Sequence, residues 1–160
     1  MSTIRSSEEG DIPAMAWIRA QEWESEAFWR ERIGGYLQGE HSPQKALAAR
    51  AAFVAVHEGK VVGFVAGHRT RRHACDGELQ WINISKAHRG HGIAGQLLAA
   101  MAVWFVRQKA FRICVDVDPK NAPARKLYAN YGAQPLHEHW MVWEDIRVIQ
   151  IGRERGPSPG

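Results

Sequence analysis

The sequence predicts a mixed α/β fold of α+β character, a central sheet covered by helices. Two observations carry this prediction. Segments with strand-like alternation crowd together before residue 86, and a strand-helix-strand-helix-strand order follows them. A third bounds the size: 160 residues, at roughly 100–200 per domain, make one domain, expected over residues 1–151, with 152–160 as a flexible glycine- and proline-rich tail.

Taken in order, Thr3 to Ser6 reads as a short strand. Between Ile12 and Leu37 the residues Met15, Ile18, Trp23, Phe28, Trp29 and Ile33 recur at helical spacing, with a break near Ser25 that divides the run into two helices. Gly34-Gly35 and Gly39 are the expected stop of the second helix. Ala52–Val56 and Val61–Ala66 flank the tight turn His57-Glu58-Gly59-Lys60 and read as paired strands. The polar stretch His68 to His73 reads as a loop, and Asp76-Gly77 as a turn. Glu78 to Ser85 is a further strand, on which strict alternation sets Glu78 on the face of Ile82 and Ile84, opposite Trp81 and Asn83. A helix from about Gly92 to Lys109, a strand from Arg112 to Val117, a helix from about Ala122 to Tyr131 and a strand around His139 to Trp143 complete the chain.

Composition excludes several classes. Hydrophobic residues at 45% and charged residues at 24% describe a globular chain. The longest apolar run, Leu97 to Val106, is ten residues, too short to span a bilayer. Met1 to Asp11 carry no apolar stretch of the kind a signal peptide needs, so a cytoplasmic protein without membrane contact is expected. Two cysteines, Cys75 and Cys114, have neither the spacing nor the number for a disulfide framework or a zinc site, and read as small core residues. No metal is expected. A net charge of +4 favours an anionic partner, either nucleic acid or a phosphorylated small molecule.

The informative segment runs from Ile84 to Leu98. A strand enters a glycine-rich turn that opens a helix, which directs free backbone N–H groups and the positive end of the helix dipole at one point. Gly90 and Gly92 leave room for a ligand and Arg89 adds a cation, so the turn suits phosphate oxygens. A P-loop is excluded, because Gln96-Leu97 stand where lysine and a hydroxyl belong. Gly90-His91-Gly92-Ile93-Ala94-Gly95 satisfies GxGxxG, and Asp116 follows about twenty residues on, where a dinucleotide-binding fold places its ribose acid. A nicotinamide-dependent oxidoreductase is therefore one reading. Too few strand-helix units remain after the motif to build a doubly wound sheet.

A second reading uses more of the chain. Arg89-Gly90-His91-Gly92-Ile93-Ala94 resembles the acetyl-CoA signature of the GNAT N-acetyltransferase superfamily, Gln or Arg, two residues, Gly, one residue, then Gly or Ala. Asn121 to Ala133, an asparagine followed by a helix with Tyr128 and a closing Gly132, resembles the family's second motif. No proline precedes Arg89, and Ala133 replaces an aromatic that often follows the glycine. The resemblance implies a central mixed, mostly antiparallel sheet flanked by helices, splayed to form an acetyl-CoA cleft. It implies an N-acetyltransferase acting by direct attack of a primary amine of a small molecule or peptide on acetyl-CoA, with a homodimer as a family habit.

Carried over residue by residue, the resemblance assigns the backbone of Arg89, Gly90, His91, Gly92, Ile93 and Ala94 to the pyrophosphate, and the backbone of Ile82, Asn83 and Ile84 to the pantetheine arm and the acyl carbonyl. Tyr128 stands where the family protonates the departing thiolate, a role its ordinary pKa near 10 suits. Asn121 either bonds the cofactor or caps a helix. Glu78 is either a base acting through water or a solvated strand end. Glu22, Glu24, Glu26 and Glu31 lie among Trp17, Trp23, Phe28 and Trp29, a mixture that would suit a cationic amine. His68 to His73 is the best nucleic-acid candidate, but without interleaved aromatics it reads as a solvated loop, so a nucleic-acid or acyl-CoA binding module stands only as the non-enzymatic alternative.

Overall fold

The computed structural model describes residues 2–149. The expected tail at 152–160 lies outside the described residues. A short strand β1 (Thr3–Ser6) precedes helices α1 (Ile12–Ala20) and α2 (Glu26–Leu37). Three long strands follow, β2 (Ala46–His57), β3 (Lys60–Thr70) and β4 (Gly77–Ile84). Helix α3 (Ile93–Arg107), β5 (Ile113–Asp116), α4 (Ala122–Asn130), β6 (Gln134–His137) and β7 (Trp140–Trp143) complete the order.

The break between the first two helices falls where expected, and Ser25 caps α2 by accepting from the Phe28 N–H at 3.0 Å. Gly34 and Gly35, read as part of the stop, lie inside α2. The terminator is Gly39, whose φ of 81° is open to glycine at little cost. The stretch His68 to His73 is not a loop throughout: His68, Arg69 and Thr70 continue β3, with His68 and Thr70 buried. β6 has no counterpart in the predicted elements. It is an edge strand containing Pro135, which gives a weak strand signal.

The seven strands form one sheet in the order β1-β2-β3-β4-β5-β7-β6. Every neighbouring pair is antiparallel except β4 with β5. This is the mixed, mostly antiparallel sheet expected, and it removes the dinucleotide reading, which needs a run of parallel strands. Apolar residues cover both faces. On one, α3 packs Leu97, Leu98, Met101 and Phe105 against Val65, Leu79, Ile113 and Val115. On the other, α1 and α2 pack Met15, Ile18, Trp29, Ile33 and Tyr36 against Val54, Phe64, Ala66 and Trp81.

Two irregularities of β4 shape the centre. Ala66 pairs with Trp81, but Gly67 pairs with Leu79, so Gln80 is an extra residue that resets the alternation. Leu79 and Ile82 therefore share the α3 face, while Glu78 joins Trp81 on the α1–α2 face. The expectation that Glu78 shares a face with Ile82 and Ile84 is corrected by this bulge. Moreover, β5 pairs with β4 only from Gly77 to Leu79. Beyond Leu79 the two strands part, and the sheet opens between them.

Candidate active site

The opening between β4 and β5 is a cleft of about 690 Å³, within the size range of small-molecule sites. One wall is β4 from Gln80 to Ile84; the other is the end of β5 at Asp116 and Val117 with helix α4. The phosphate-type turn also lines the cleft, and the C-terminal end of α1 meets that turn, the Gln21 side chain accepting from the Lys86 N–H at 3.1 Å.

The turn has the geometry its glycines require. Gly90 and Gly92 have φ of 83° and 76°, left-handed values that cost an L-residue about 1–2 kcal/mol. A Cβ at either would meet no atom within 4 Å, so the space beside the turn is open. The residues present thus fit a diphosphate: a glycine cradle opening the 15-residue helix α3, with Arg89 beside it. Arg89 is tied down, donating through Nε to the Ile84 carbonyl at 3.1 Å and pairing through Nη2 with Glu22. Arg89, Gly90, Gly92, Ile93 and Ala94 line the cleft; the exposed His91 side chain does not. Gly95 has a packing role, since the Tyr131 hydroxyl occupies the position of its missing Cβ and brings α4 against α3.

Ile82, Asn83 and Ile84 all line the cleft, on the stretch of β4 where pairing with β5 has ceased. Asn121 caps α4, its Oδ1 accepting from the Ala124 N–H at 3.2 Å, and it also faces the cleft. Tyr128 reaches the cleft from α4 and is 7% exposed. Burial pushes its phenol up to about 12; the charge of Arg19 opposes the shift and that of Asp116 adds to it. An edge-on contact with Trp143, 5.7 Å between ring centroids, fixes the ring.

Glu78 does not line the cleft. It is 3% exposed and faces His68 Nε2 and Arg72 Nη1, each at 3.6 Å. It is neither a solvated strand end nor a group on the cleft wall, because the bulge at Gln80 turns it under α2. Three carboxylates do line the cleft, Glu22, Asp116 and Asp118; of these Asp116, at the end of β5, was considered in the sequence only as a ribose ligand. Partial burial first, and the negative charge of Glu78 second, raise its pKa.

The mixed aromatic and acidic patch of the first two helices resolves into different roles. Glu22 and Trp23 line the cleft. Glu26 pairs with Arg30 at 2.8 Å on the surface, and Trp17 is 53% exposed. Two of the aromatics expected to suit a cationic amine already hold a cation of the chain: the Arg19 guanidinium lies 4.4 Å from the Trp23 ring and 4.7 Å from the Trp29 ring. Arg19 also donates to Asn83 Oδ1 at 2.5 Å, so Asn83 offers the cleft its backbone while its side chain turns to α1. Sequence reading missed Arg19. Its spacing of four residues from Trp23 was the available sign, since that places both on one helical face. Arg72, from the basic stretch, stacks on Trp140 at 4.6 Å and faces Glu78, so it belongs to the fold rather than to a free basic patch.

A cleft between diverging strands, headed by a glycine cradle at a helix N-terminus and walled by a buried tyrosine, matches a known family. The sequence fits the model of the acetyltransferase (GNAT) family over residues 14–133, most of its length. The chain belongs to the GNAT acetyltransferase family. Among curated proteins nothing matches it. Solved structures share the GNAT fold at low identity. A putative acetyltransferase of the GNAT family from Desulfovibrio desulfuricans superposes with a TM-score of 0.72 at 12% identity, covering 91% of this chain and 99% of that one. The PaiA N-acetyltransferase of Thermoplasma acidophilum in complex with coenzyme A gives 0.62 at 13% identity, covering 89% and 97%. The GNAT N-acetyltransferase YhbS of Escherichia coli in complex with CoA gives 0.67 at 19% identity, covering 92% and 84%.

Among the described residues of this GNAT chain, no three His, Cys, Asp or Glu side chains gather into a metal-binding group. No helix among them is long and apolar enough to cross a membrane.

Proposed function

We propose that this chain transfers the acetyl group of acetyl-CoA to a primary amine of a small molecule or peptide, in the cytoplasm. The observation that carries the reading is the parting of β4 from β5 beyond Leu79, directly beside the Gly90–Gly92 cradle and the Tyr128 hydroxyl. The cradle's N–H groups hold the diphosphate, and the unpaired edge of β4 from Ile82 to Ile84 holds the pantetheine amides and polarises the acyl oxygen. When bound, acetyl-CoA supplies a carbonyl open to attack and a thiolate as leaving group.

Tyr128 delivers its proton to the departing sulfur, a role for which a phenol held in the protonated form is suited. The amine arrives as an ammonium ion and must lose a proton before its lone pair can attack. Asp116 lines the cleft with a raised pKa and takes that proton to solvent. The second nitrogen proton balances the one that Tyr128 gives to sulfur. Glu78 lies beside β5, opposite Cys114, and acts on Asp116 through its charge, as a positioning residue rather than as the base. His91 and Asn121 serve the cofactor through their backbone and through the helix cap. The two free, buried thiols Cys75 and Cys114 support a reducing compartment.

Thermal unfolding with acetyl-CoA, CoA, NADH and NADPH in parallel tests the reading. A bound ligand at a hundred times its dissociation constant adds about 2.7 kcal/mol, a clear shift in midpoint. Stabilisation by the CoA compounds alone, with amine-dependent release of CoA, is the expected result. Stabilisation by a nicotinamide alone overturns it.

A further inference from the structure

Arg19 is an unusual group for a cleft wall in an enzyme of amines. Its guanidinium is half-buried and sandwiched by Trp23 and Trp29, and among the described residues it forms no ion pair. Its single hydrogen bond there goes to the neutral Asn83 Oδ1, and Nε is buried with no partner. The nearest acid to influence it, Glu22, is itself engaged by Arg89. An arginine has five donors arranged as a fork that matches a carboxylate. Here most of that fork is unused, while burial penalises the charge and lowers its pKa to about 10. A cation held so rigidly and satisfied so poorly is built for an anion that arrives with a ligand.

The diphosphate already has its own cradle of backbone N–H groups with Arg89 beside it, whereas Arg19 is held to Asn83 and the two tryptophans. The bulge at Gln80 puts Trp81 and Asn83 on the α1–α2 face, and Arg19 approaches the cleft from that face. Asp116 shares a face with Glu78 and Cys114 of the paired strands, hence the same side of the sheet. Arg19, Asp116 and Tyr128 all line this cleft, and the charges of Arg19 and Asp116 act on the Tyr128 phenol in opposite directions.

Resting on the acetyltransferase reading, we infer that the acceptor is an amine carrying its own carboxylate, an amino acid or close analogue. Arg19 holds the carboxylate through its fork, and Asp116 meets the ammonium. The same cation repels diamines and other acceptors with a second positive charge. Arg19 is then a specificity-determining residue, and the acid end of the substrate completes the hydrogen bonds it lacks.

The test is acetyl-CoA-dependent release of CoA with paired acceptors: amino acids, their primary carboxamides, and diamines of similar length. The carboxamide keeps the shape and has the less basic amine, so amine protonation alone would favour it. The expected result is a kcat/KM at least about tenfold higher for the carboxylate, as a lost charge-assisted bond implies. Arg19→Gln brings that ratio to about one, chiefly through KM, and Arg19→Lys restores part of it. Equal or preferred use of carboxamides or diamines by the wild type overturns the inference and leaves acetyl transfer standing. A ratio that survives Arg19→Gln also overturns it. So does loss of thermal stabilisation by acetyl-CoA in Arg19→Gln, which would assign Arg19 to the cofactor. Absence of CoA binding by the wild type instead overturns the reading beneath it.

Discussion

Oε1 of Glu78 lies 3.6 Å from Nε2 of His68 on the neighbouring strand, and Nδ1 of the same ring is 2.7 Å from the Tyr36 hydroxyl. The arrangement orients the ring. Tyr36, whose phenol burial keeps protonated, hydrogen-bonds the ring at Nδ1, while Nε2 and the Glu78 carboxylate face each other too far apart to bond. All three side chains are buried between α2 and the sheet, and Glu78 acts on the cleft at Asp116, whose pKa burial raises first and the like charge of Glu78 second. Glu78→Gln removes that charge and lowers the pKa of Asp116, so the base becomes available at lower pH. The acid limb of kcat/KM should move to lower pH, with the plateau changed less than about tenfold. A base in direct action would lose about 10²–10⁴-fold on the same change. A pH profile of the two proteins separates the roles, and the larger loss would restore Glu78 as the base.

Tyr128→Phe keeps the ring and its contact with Trp143 and removes the proton donor. The expected loss in kcat is about 10²–10⁴-fold, with stabilisation by CoA retained. Because the phenol is pushed up to about 12, it stays protonated across the working range, and Tyr128 should produce no basic limb there. Single-turnover rates and the thermal shift measure both halves. Unchanged acetyl transfer would remove Tyr128 from the chemistry.

Gly92→Ala tests the cradle. The new Cβ meets nothing within 4 Å, so crowding is not the cost; the left-handed φ of 76° is. A strain of about 1–2 kcal/mol at the first turn of α3 lets the N–H groups rotate away from the diphosphate. CoA affinity should fall about tenfold, since 1.4 kcal/mol corresponds to that factor. Calorimetric titration with CoA gives the value, and an unchanged affinity would show that the turn holds the ligand by other groups.

The parts of this fold legible in the sequence are those written in local periodicity. The run from Gly92 to Arg107 announces its helix and its glycine cradle together, and Asn121 with Pro123 marks the start of α4. What escaped depends on tertiary detail. One extra residue, Gln80, reverses the face of Glu78, and a period of two has no way to signal it. The mixture of acids and aromatics in the first two helices was legible as a patch to suit a cation, but that the chain's own Arg19 lies against Trp23 and Trp29 is settled only when α1 meets α2. Cys75 and Cys114, distant in sequence, meet in one small cluster with Val142 because β5 pairs in parallel beside Gly77.

Gly77→Ala tests whether that pairing sets the mouth of the cleft. Gly77 opens β4 opposite Ile113 of β5, and a Cβ there would lie 2.5 Å from Phe105 Cε1 and 2.8 Å from Ile113 Cδ1. Neither ring nor branch has room to retreat, since Phe105 and Ile113 are buried among α3 and β5. Overpacking of this kind costs about 1–3 kcal/mol, and a chain of this size loses about 2–4 °C in Tm for each. The displacement falls on the short ladder from Gly77 to Leu79, the last contact before β4 and β5 part. KM for acetyl-CoA should therefore rise along with the loss of Tm. Adding Phe105→Leu frees the space and should recover part of both, a coupling that a double-mutant cycle measures. Recovery of stability without recovery of KM would separate the packing at Gly77 from the width of the cleft.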